Sequence, residues 1–218
     1  MKVLRPTLAP PRALSSAIRT ALLAASASLA LPALATQLPP QNLSQMIAKA
    51  DLIVSGQVTA VKDGIENGLP FTEVTLKVSG SAKQTLDTSS SYSFRQYGLL
   101  KPRKMSDGRY LLPAKIEGMP TWQVGERVLT FMNKPAAATG LRTPVGLAQG
   151  KFSINGSKAA NAFNNEGLFE GVSVDSGLLR NSETAMLAKR SGAVDLAVLQ
   201  GLVNRAVKNN WVATGVMR

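Results

Sequence analysis

The chain contains no cysteine and no histidine among its 218 residues. Without cysteine it can form neither a disulfide nor a lipid-modified cysteine. Without histidine it lacks the usual general base near neutral pH and the commonest zinc ligand. Ser-His-Asp triads, Cys-His pairs and histidine-based zinc sites are therefore excluded, and we expect neither a metal nor a cofactor.

Long apolar runs and acidic residues are also scarce. After Ala35 no uninterrupted apolar run approaches the ~20 residues of a membrane-spanning helix, so we expect no integral membrane span in the mature chain. The 13 acidic residues are scattered singly and lack the spacing of a calcium loop or a glycosidase pair. Hydrophobic residues make up 44% of the chain and charged residues 17%, a balance typical of a folded protein.

The first 35 residues have the pattern of an export signal. A basic, acid-free leader precedes an uncharged stretch, residues 20–31, that is too short to span a bilayer. The small residues Ala33 and Ala35 then predict cleavage after Ala35, with the mature protein beginning at Thr36 in the periplasm or secreted. A transit peptide is the alternative, because it is also basic and acid-poor. The basic residues of the leader are Lys2, Arg5, Arg12 and Arg19.

Basic residues outnumber acidic ones, 25 against 13. Cleavage would leave 21 basic residues against 13 acidic ones, a net charge of +8. Such a surface favours anionic partners, such as lipopolysaccharide headgroups, acidic polysaccharide, extracellular nucleic acid or an acidic protein. The alternative, that the charge only keeps the protein soluble, stays open.

Several short segments have the patterns of strands. Asn42 and Gln45 form a capping-box-like start for a short helix, and residues 195–208 predict a terminal helix with a broad apolar face. Loops are expected at 63–68 and over the long segment 98–125, in which residues 109–116 fit one arm of a hairpin. Strands are predicted at 52–61 with a bulge at Gly56, 71–79, 91–97, 127–132, 146–154, 157–163 and 167–174.

These elements predict a mainly β fold. Five or more strands at short spacing, framed by a short N-terminal helix and a C-terminal helix, favour a small antiparallel OB-like barrel, with a β-sandwich as the alternative. The predicted organisation is a signal peptide at 1–35, a β-barrel domain at 36–180, and a C-terminal helical segment at 181–218 that packs on the barrel.

Three segments carry a resemblance to known proteins. They are ADLIVSGQV at 50–58, GERVLTF at 125–131 and GLAQGKF at 146–152. Together they resemble a loosely defined group of exported bacterial proteins with small OB-type barrels, over roughly residues 43–160. The resemblance implies the barrel and the export, and it carries no activity.

A basic run with interleaved aromatic residues is the most unusual local feature. On an OB-type barrel, such groups suit single-stranded nucleic acid or an acidic oligosaccharide, through stacking and charge contacts. Alternatively, the aromatic residues fill the core and the bases coat a solvated loop, since Tyr92 and Phe94 share the inward alternation of their strand. The candidate anion-binding residues are Arg95, Lys101, Arg103, Lys104 and Arg109, interleaved with Tyr92, Phe94, Tyr97 and Tyr110 and opposed by Asp107.

No motif indicates a catalytic residue. Asp51 follows a helix at a strand start, where an acid is usually a cap or turn group, and no serine stands three residues before a lysine. The sequence therefore favours an exported, non-catalytic binding or interaction module of the cell envelope, with an anionic polymer or an envelope protein as partner. The alternative is an envelope hydrolase that uses serine, lysine or carboxylate groups from distant segments.

Overall fold

The computed structural model describes residues 39–114 and 116–218. The predicted signal peptide and its cleavage site lie outside these residues. The first helix, α1 (Leu43–Lys49), begins as its sequence predicts: Asn42 accepts a hydrogen bond from the Gln45 N–H, and the Gln45 side chain accepts one from the Asn42 N–H. A helix of seven residues is unstable alone. Its fully buried Leu43 and Met46 anchor it to the core.

The two longest strands form a hairpin. Strand β1 (Leu52–Glu66) pairs antiparallel with β2 (Leu69–Ala82). The predicted bulge is present, because the register shifts between Ser55 and Gly56. The loop predicted at 63–68 is wrong: β1 continues to Glu66, and only Asn67 and Gly68 form the turn, with φ of 51° and 77°.

The remaining strands extend this hairpin into one antiparallel sheet of seven strands, in the order β3-β2-β1-β6-β7-β8-β9. A separate two-stranded sheet, β4 with β5, lies between β3 and β6 in the chain. The strands are β3 (Ser91–Tyr97), β4 (Arg103–Lys104), β5 (Tyr110–Leu111), β6 (Arg127–Met132), β7 (Lys151–Asn155), β8 (Lys158–Asn161) and β9 (Val194–Asp195). The predictions of a mainly β, antiparallel fold with a short N-terminal helix and a C-terminal helix are confirmed.

Apolar side chains alternate between the two faces of the sheet. One face carries Ile53 and Phe131 and packs against the helices; we call it the helix-covered face. The opposite face carries Val54 and Phe94, which pack with the buried Trp122. Because both faces hold buried clusters, the central strands are apolar on both sides, as the run 52–54 already indicates.

Two further helices follow the strands. They are α2 (Asn181–Leu187) and α3 (Leu196–Lys208). The Asp195 carboxylate caps α3 by accepting hydrogen bonds from the N–H groups of residues 197 and 198, at 3.0 and 3.2 Å. The predicted apolar face of α3 is buried: Leu199 and Leu202 are 0% exposed. The terminal helix therefore packs this apolar face against the sheet.

Two predicted strands differ from the structure. Residues Leu147–Gly150 form a 3-10 turn, and β7 begins only at Lys151. Gly146 and Leu147 have φ of 61° and 56°, which a β-strand does not accommodate, and a Cβ on Gly150 would lie 2.3 Å from the carbonyl oxygen of Val145. Residues 167–174 form turns, with one isolated bridge between Val174 and Met217. The predicted strand there is wrong.

None of the helices among the described residues is long and apolar enough to cross a bilayer.

Candidate functional site

Most of the predicted anion-binding residues lie in the loop between β3 and β6. Residues 99–114, which we call the basic hairpin, contain β4 and β5 and four of the five predicted anion-binding residues. The register pairs Arg103 with Leu111 and Lys104 with Tyr110. A further hydrogen bond, from the Met105 N–H to the carbonyl oxygen of residue 109 at 2.7 Å, closes the turn. The long irregular segment thus holds a hairpin, as the sequence suggested, with a shorter second arm than 109–116.

Asp63, near the end of β1, anchors the basic hairpin. Its carboxylate accepts hydrogen bonds from the N–H groups of Leu100 and Lys101, at 2.8 and 3.2 Å, and forms an ion pair with Arg103. The Asp63 side chain is 4% exposed. Burial alone would raise the pKa of Asp63, but the hydrogen bonds from Arg103 and the two backbone amides outweigh it and leave that pKa below its ordinary value.

Arg103 therefore has a structural role. Besides the Asp63 carboxylate, its guanidinium donates to the carbonyl oxygen of Asp63 at 2.6 Å. Of the five predicted residues, Arg103 has the most buried charge partner, and a ligand would have to displace that partner to reach the guanidinium.

Lys101, Lys104 and Arg109 are the exposed bases of the basic hairpin. The ammonium groups of Lys101 and Lys104 form no ion pair with any residue that the structure describes. Arg109 pairs with Asp107 at 2.6 Å, but its side chain is 84% exposed, so solvent screens this pair. These three cations lie on one small element and face solvent.

Arg95 lies apart from the hairpin, on β3. Its guanidinium forms ion pairs with Glu66 and Glu73, each at 2.8 Å, and lies 4.1 Å from the centre of the Phe71 ring. Two carboxylates thus offset its single charge. The three exposed bases lie together on the basic hairpin. Arg95 lies on β3, and its charge is already paired with two carboxylates.

The aromatic residues divide into two pairs. Phe94 is buried and lies edge-on to Trp122, with ring centres 5.1 Å apart, and Tyr92 is half-buried. The expectation that this pair points inward is confirmed. Tyr97 and Tyr110 are 39% and 62% exposed. Only this second pair is available for stacking with a ligand.

A cavity of about 290 Å³ lies beside the basic hairpin. Its lining includes Leu99, Ile116 and Trp122. The indole N–H of Trp122 donates to the Gln96 side-chain oxygen at 2.9 Å, and the Gln96 amide donates to the carbonyl oxygen of Pro120 at 3.1 Å. Because these buried polar groups already satisfy one another, the cavity has an apolar character.

A second cavity, of about 340 Å³, lies between the sheet and α3. Ile53 and Leu129 form part of its lining, together with Ser55, Ser79 and Gln200. The hydroxyls of Ser55 and Ser79 lie 3.1 Å apart. The serines therefore bond to each other, and no charged group in this lining is buried.

A third cavity, of about 640 Å³, lies where the C-terminal ends of α1 and α3 meet the end of β2. Lys83 lines it and donates to the carbonyl oxygens of Ala48 and Ala50 at 3.2 and 2.7 Å. These carbonyls lie at the C-terminal end of α1, where a cation is favourable. Lys83 therefore has a structural role.

Asp51, the acid that follows α1, belongs to a structural network. It forms an ion pair with Arg142 and accepts a hydrogen bond from Gln84 at 2.7 Å. Arg142 is 7% exposed and also donates to the Tyr92 hydroxyl at 2.7 Å. The network ties the loop after β6 to β1 and β3.

One polar cluster combines a serine, a lysine and a carboxylate. Glu126 accepts hydrogen bonds from the Lys151 ammonium and the Ser153 hydroxyl, both at 2.6 Å. Lys151 also lies 5.0 Å from the centre of the Trp122 ring. Ser153 is exposed and lies outside the three cavities described above.

A metal centre is not formed among residues 39–114 and 116–218, where no three acidic side chains come together.

Sequence reasoning missed the residue that positions the basic hairpin. Asp63 precedes a glycine, Asp63-Gly64, which indicates a turn and hides the continuation of the strand. The exposure of Leu100 and Leu112, 54% and 65%, was also missed. The sequence could not show it, because Tyr110, Leu111 and Leu112 are all apolar and have no alternation that would separate an exposed side chain from a buried one.

Comparison with protein-family models, with curated proteins and with solved structures finds no match.

Proposed function

We propose that the chain is an exported, non-catalytic binding module of the cell envelope that recognises an anionic partner. The observation that carries the proposal is the grouping of Lys101, Lys104 and Arg109 on the basic hairpin, where their charges face solvent. The excess of bases over acids supports an anionic partner, since it attracts anions over long range. The N-terminal pattern at 1–35 supports export.

The structure changes which residues should be tested. Arg95 and Arg103 already hold carboxylates, so removing them would disturb the fold. The informative variant replaces Lys101, Lys104 and Arg109 together with serine. A matched control replaces Lys134, Lys189 and Lys208, which are exposed on other elements, and it removes the same net charge.

Binding to heparin as a function of salt concentration tests the proposal. We expect affinity for the wild-type chain to fall steeply with salt, because released counterions drive the association. The hairpin variant should bind weakly with a flatter salt dependence, while the control stays close to the wild type. Equal loss in both variants would contradict a local site and leave only a generally basic surface.

An envelope hydrolase is the second candidate, favoured by the cluster of Glu126, Lys151 and Ser153. A serine nucleophile needs an adjacent general base, and Glu126 and Lys151 are the groups beside Ser153 that could serve as one. The exposed position of Ser153 on a strand, outside the cavities, places this candidate second. Turnover of a peptide, glycan or ester substrate that Ser153→Ala abolishes would replace the binding proposal.

We further propose that the sheet curls into an OB-like barrel, with a β-sandwich as the alternative. Two contacts of the segment after β6 support this. Met132 forms an isolated bridge with Pro144, and the Arg142 N–H donates to the carbonyl oxygen of Arg95, on β3, at 2.7 Å. The segment thereby links β6 to the outer strand of the sheet. Slow hydrogen exchange of the Arg142 amide is expected, and exchange as fast as in an exposed loop would contradict closure.

A further inference from the structure

The basic hairpin has two different faces. The cross-strand pairs of the register place Lys104 and Tyr110 on one side and Arg103 and Leu111 on the other. The burial of the residues follows this alternation: Arg103 and Leu111 are half-buried, whereas Lys104 and Tyr110 are exposed. The inner face docks on the protein through Asp63, and the outer face meets solvent.

The outer face carries large apolar side chains as well as charge. Tyr110 is 62% exposed and Leu112, two residues along the same arm, is 65% exposed. Leu100, next to Lys101 in the chain, is 54% exposed. Leu100 also lines the cavity beside the hairpin, so Tyr110 and Leu112 are the large hydrophobic side chains that the outer face leaves in water.

This combination distinguishes between anionic partners. A soluble acidic polysaccharide or a nucleic acid can form ion pairs with the lysines, but it has no apolar region in which a leucine side chain could be buried. An anionic bilayer offers both, because phosphate headgroups lie directly above hydrocarbon. Tyrosine is enriched at that boundary, where its ring is buried and its hydroxyl stays hydrated.

We infer that the basic hairpin is an interfacial anchor for anionic lipid bilayers, with Tyr110 and Leu112 of the outer face entering the headgroup region and the exposed Lys101 and Lys104 binding lipid phosphates. The inference rests on the proposed function, since it names the partner of the same surface. The contact with Asp63 attaches the hairpin to β1, and Tyr110 and Leu112 are already exposed, so they can reach a bilayer without unfolding of the protein.

Binding to vesicles and to heparin, measured in parallel, tests the inference. The vesicles contain phosphatidylcholine alone or mixed with phosphatidylglycerol. The apolar variant replaces Tyr110 and Leu112 with serine, and the basic variant replaces Lys101 and Lys104 with serine. A matched apolar control replaces Val124 and Phe163, which are 66% and 47% exposed elsewhere.

We expect the wild-type chain to bind the anionic vesicles and not the neutral ones. The apolar variant should bind anionic vesicles about tenfold or more weakly, because two apolar side chains no longer leave water, and should bind heparin as the wild type does. The basic variant should lose affinity for both, and the apolar control for neither.

A fluorescent reporter detects the insertion directly. Trp122 and Trp211 are each 6% exposed, so their emission should change little when a vesicle binds. In Tyr110→Trp the new indole should shift its emission to shorter wavelength on anionic vesicles. The same change at an exposed position outside the hairpin, Phe163→Trp, should give no shift.

The outcomes separate the inference from the proposed function. Heparin binding that depends on Lys101 and Lys104, without vesicle binding or without an effect of the apolar variant on vesicles, overturns the inference and retains a soluble polyanion as partner. Vesicle and heparin binding that are both unchanged in the basic variant overturn the proposed function. A wild-type chain that binds neither probe overturns both.

Discussion

The helix-covered face and the basic hairpin are held by different physical means. Against the sheet, α3 buries whole leucine side chains, with Leu199 and Leu202 at 0% exposure. The hairpin places Tyr110 and Leu112 in solvent, and at its base one carboxylate, Asp63, accepts hydrogen bonds from two backbone amides and an arginine.

The helix-covered face therefore contributes to the stability of the fold, whereas the basic hairpin has side chains available for a partner. Burying apolar area stabilises a fold whatever its function, and it leaves no side chain free for a partner. The hairpin retains exposed cations and exposed apolar groups and is hydrogen-bonded to the sheet at its base, which is the arrangement expected of a binding loop on a scaffold. Substitutions in the two regions should therefore have effects of different size on folding and on binding.

The largest effect is expected for the same substitution made in each region. Leu199→Ala removes a fully buried side chain and should lower the free energy of unfolding by ~2–5 kcal/mol. Leu112→Ala, at 65% exposure, should change it by less than ~0.5 kcal/mol. The urea midpoints of the two variants measure both values. Similar losses would show that the hairpin is part of the stabilising core.

A smaller effect is expected where the sheet is closely packed. A Cβ on Gly56 would lie 2.4 Å from the carbonyl oxygen of Lys77, so Gly56→Ala should destabilise the fold by ~1–3 kcal/mol. Gly201→Ala, in α3, is the matched control: a Cβ there meets nothing within 4 Å. Alanine favours a helix, so the control should gain ~0.5–1 kcal/mol. Thermal unfolding gives both, and a loss at Gly201 would contradict the packing described for α3.

The ion pair at the base of the hairpin gives an intermediate effect. Asp63→Asn should lower the free energy of unfolding by ~1–2 kcal/mol, because Arg103 loses its charged partner. The Arg103 side chain is 38% exposed, so solvent weakens the pair and limits the loss. The folded-state pKa of Asp63 lies below the unfolded value of about 3.9. The wild type should therefore exceed Asp63→Asn in free energy of unfolding by the full amount above about pH 4. The difference should disappear as the pH falls through the lower folded-state pKa.

Urea unfolding of the wild type and Asp63→Asn between neutral and acid pH checks this. A stability difference that stays constant down to the lowest pH would contradict the assignment of Asp63 as the anchor. Asp63→Asn should also weaken binding at neutral pH, because the hairpin would no longer be held in one position.

The sequence predicted the elements whose signals are local. The capping box of Asn42 and Gln45, the alternation in 91–97 and the apolar period of 196–208 each appear in the structure. These features depend on neighbours within a few residues, so a single sequence contains them.

The candidate site was harder to predict, because ion-pair partners from other segments of the chain determine which bases are available to a ligand. The pairing of Arg95 with Glu66 and Glu73, and of Arg103 with Asp63, joins residues 22 to 40 positions apart. Nothing in the sequence of 95–109 shows that Arg95 and Arg103 are paired with carboxylates from other segments of the chain. The five predicted residues therefore include the three exposed bases together with Arg95 and Arg103, which the fold uses in ion pairs.

The central claim is that the basic hairpin is the binding surface and the helix-covered face is not. Amide chemical shifts of the ¹⁵N-labelled chain, followed during titration with a heparin oligosaccharide, test it most directly. The claim predicts that the amides of Lys101, Lys104 and Arg109 shift progressively while those of Leu196–Lys208 stay in place. Shifts that spread evenly over exposed lysines, or that concentrate on α3, would contradict it.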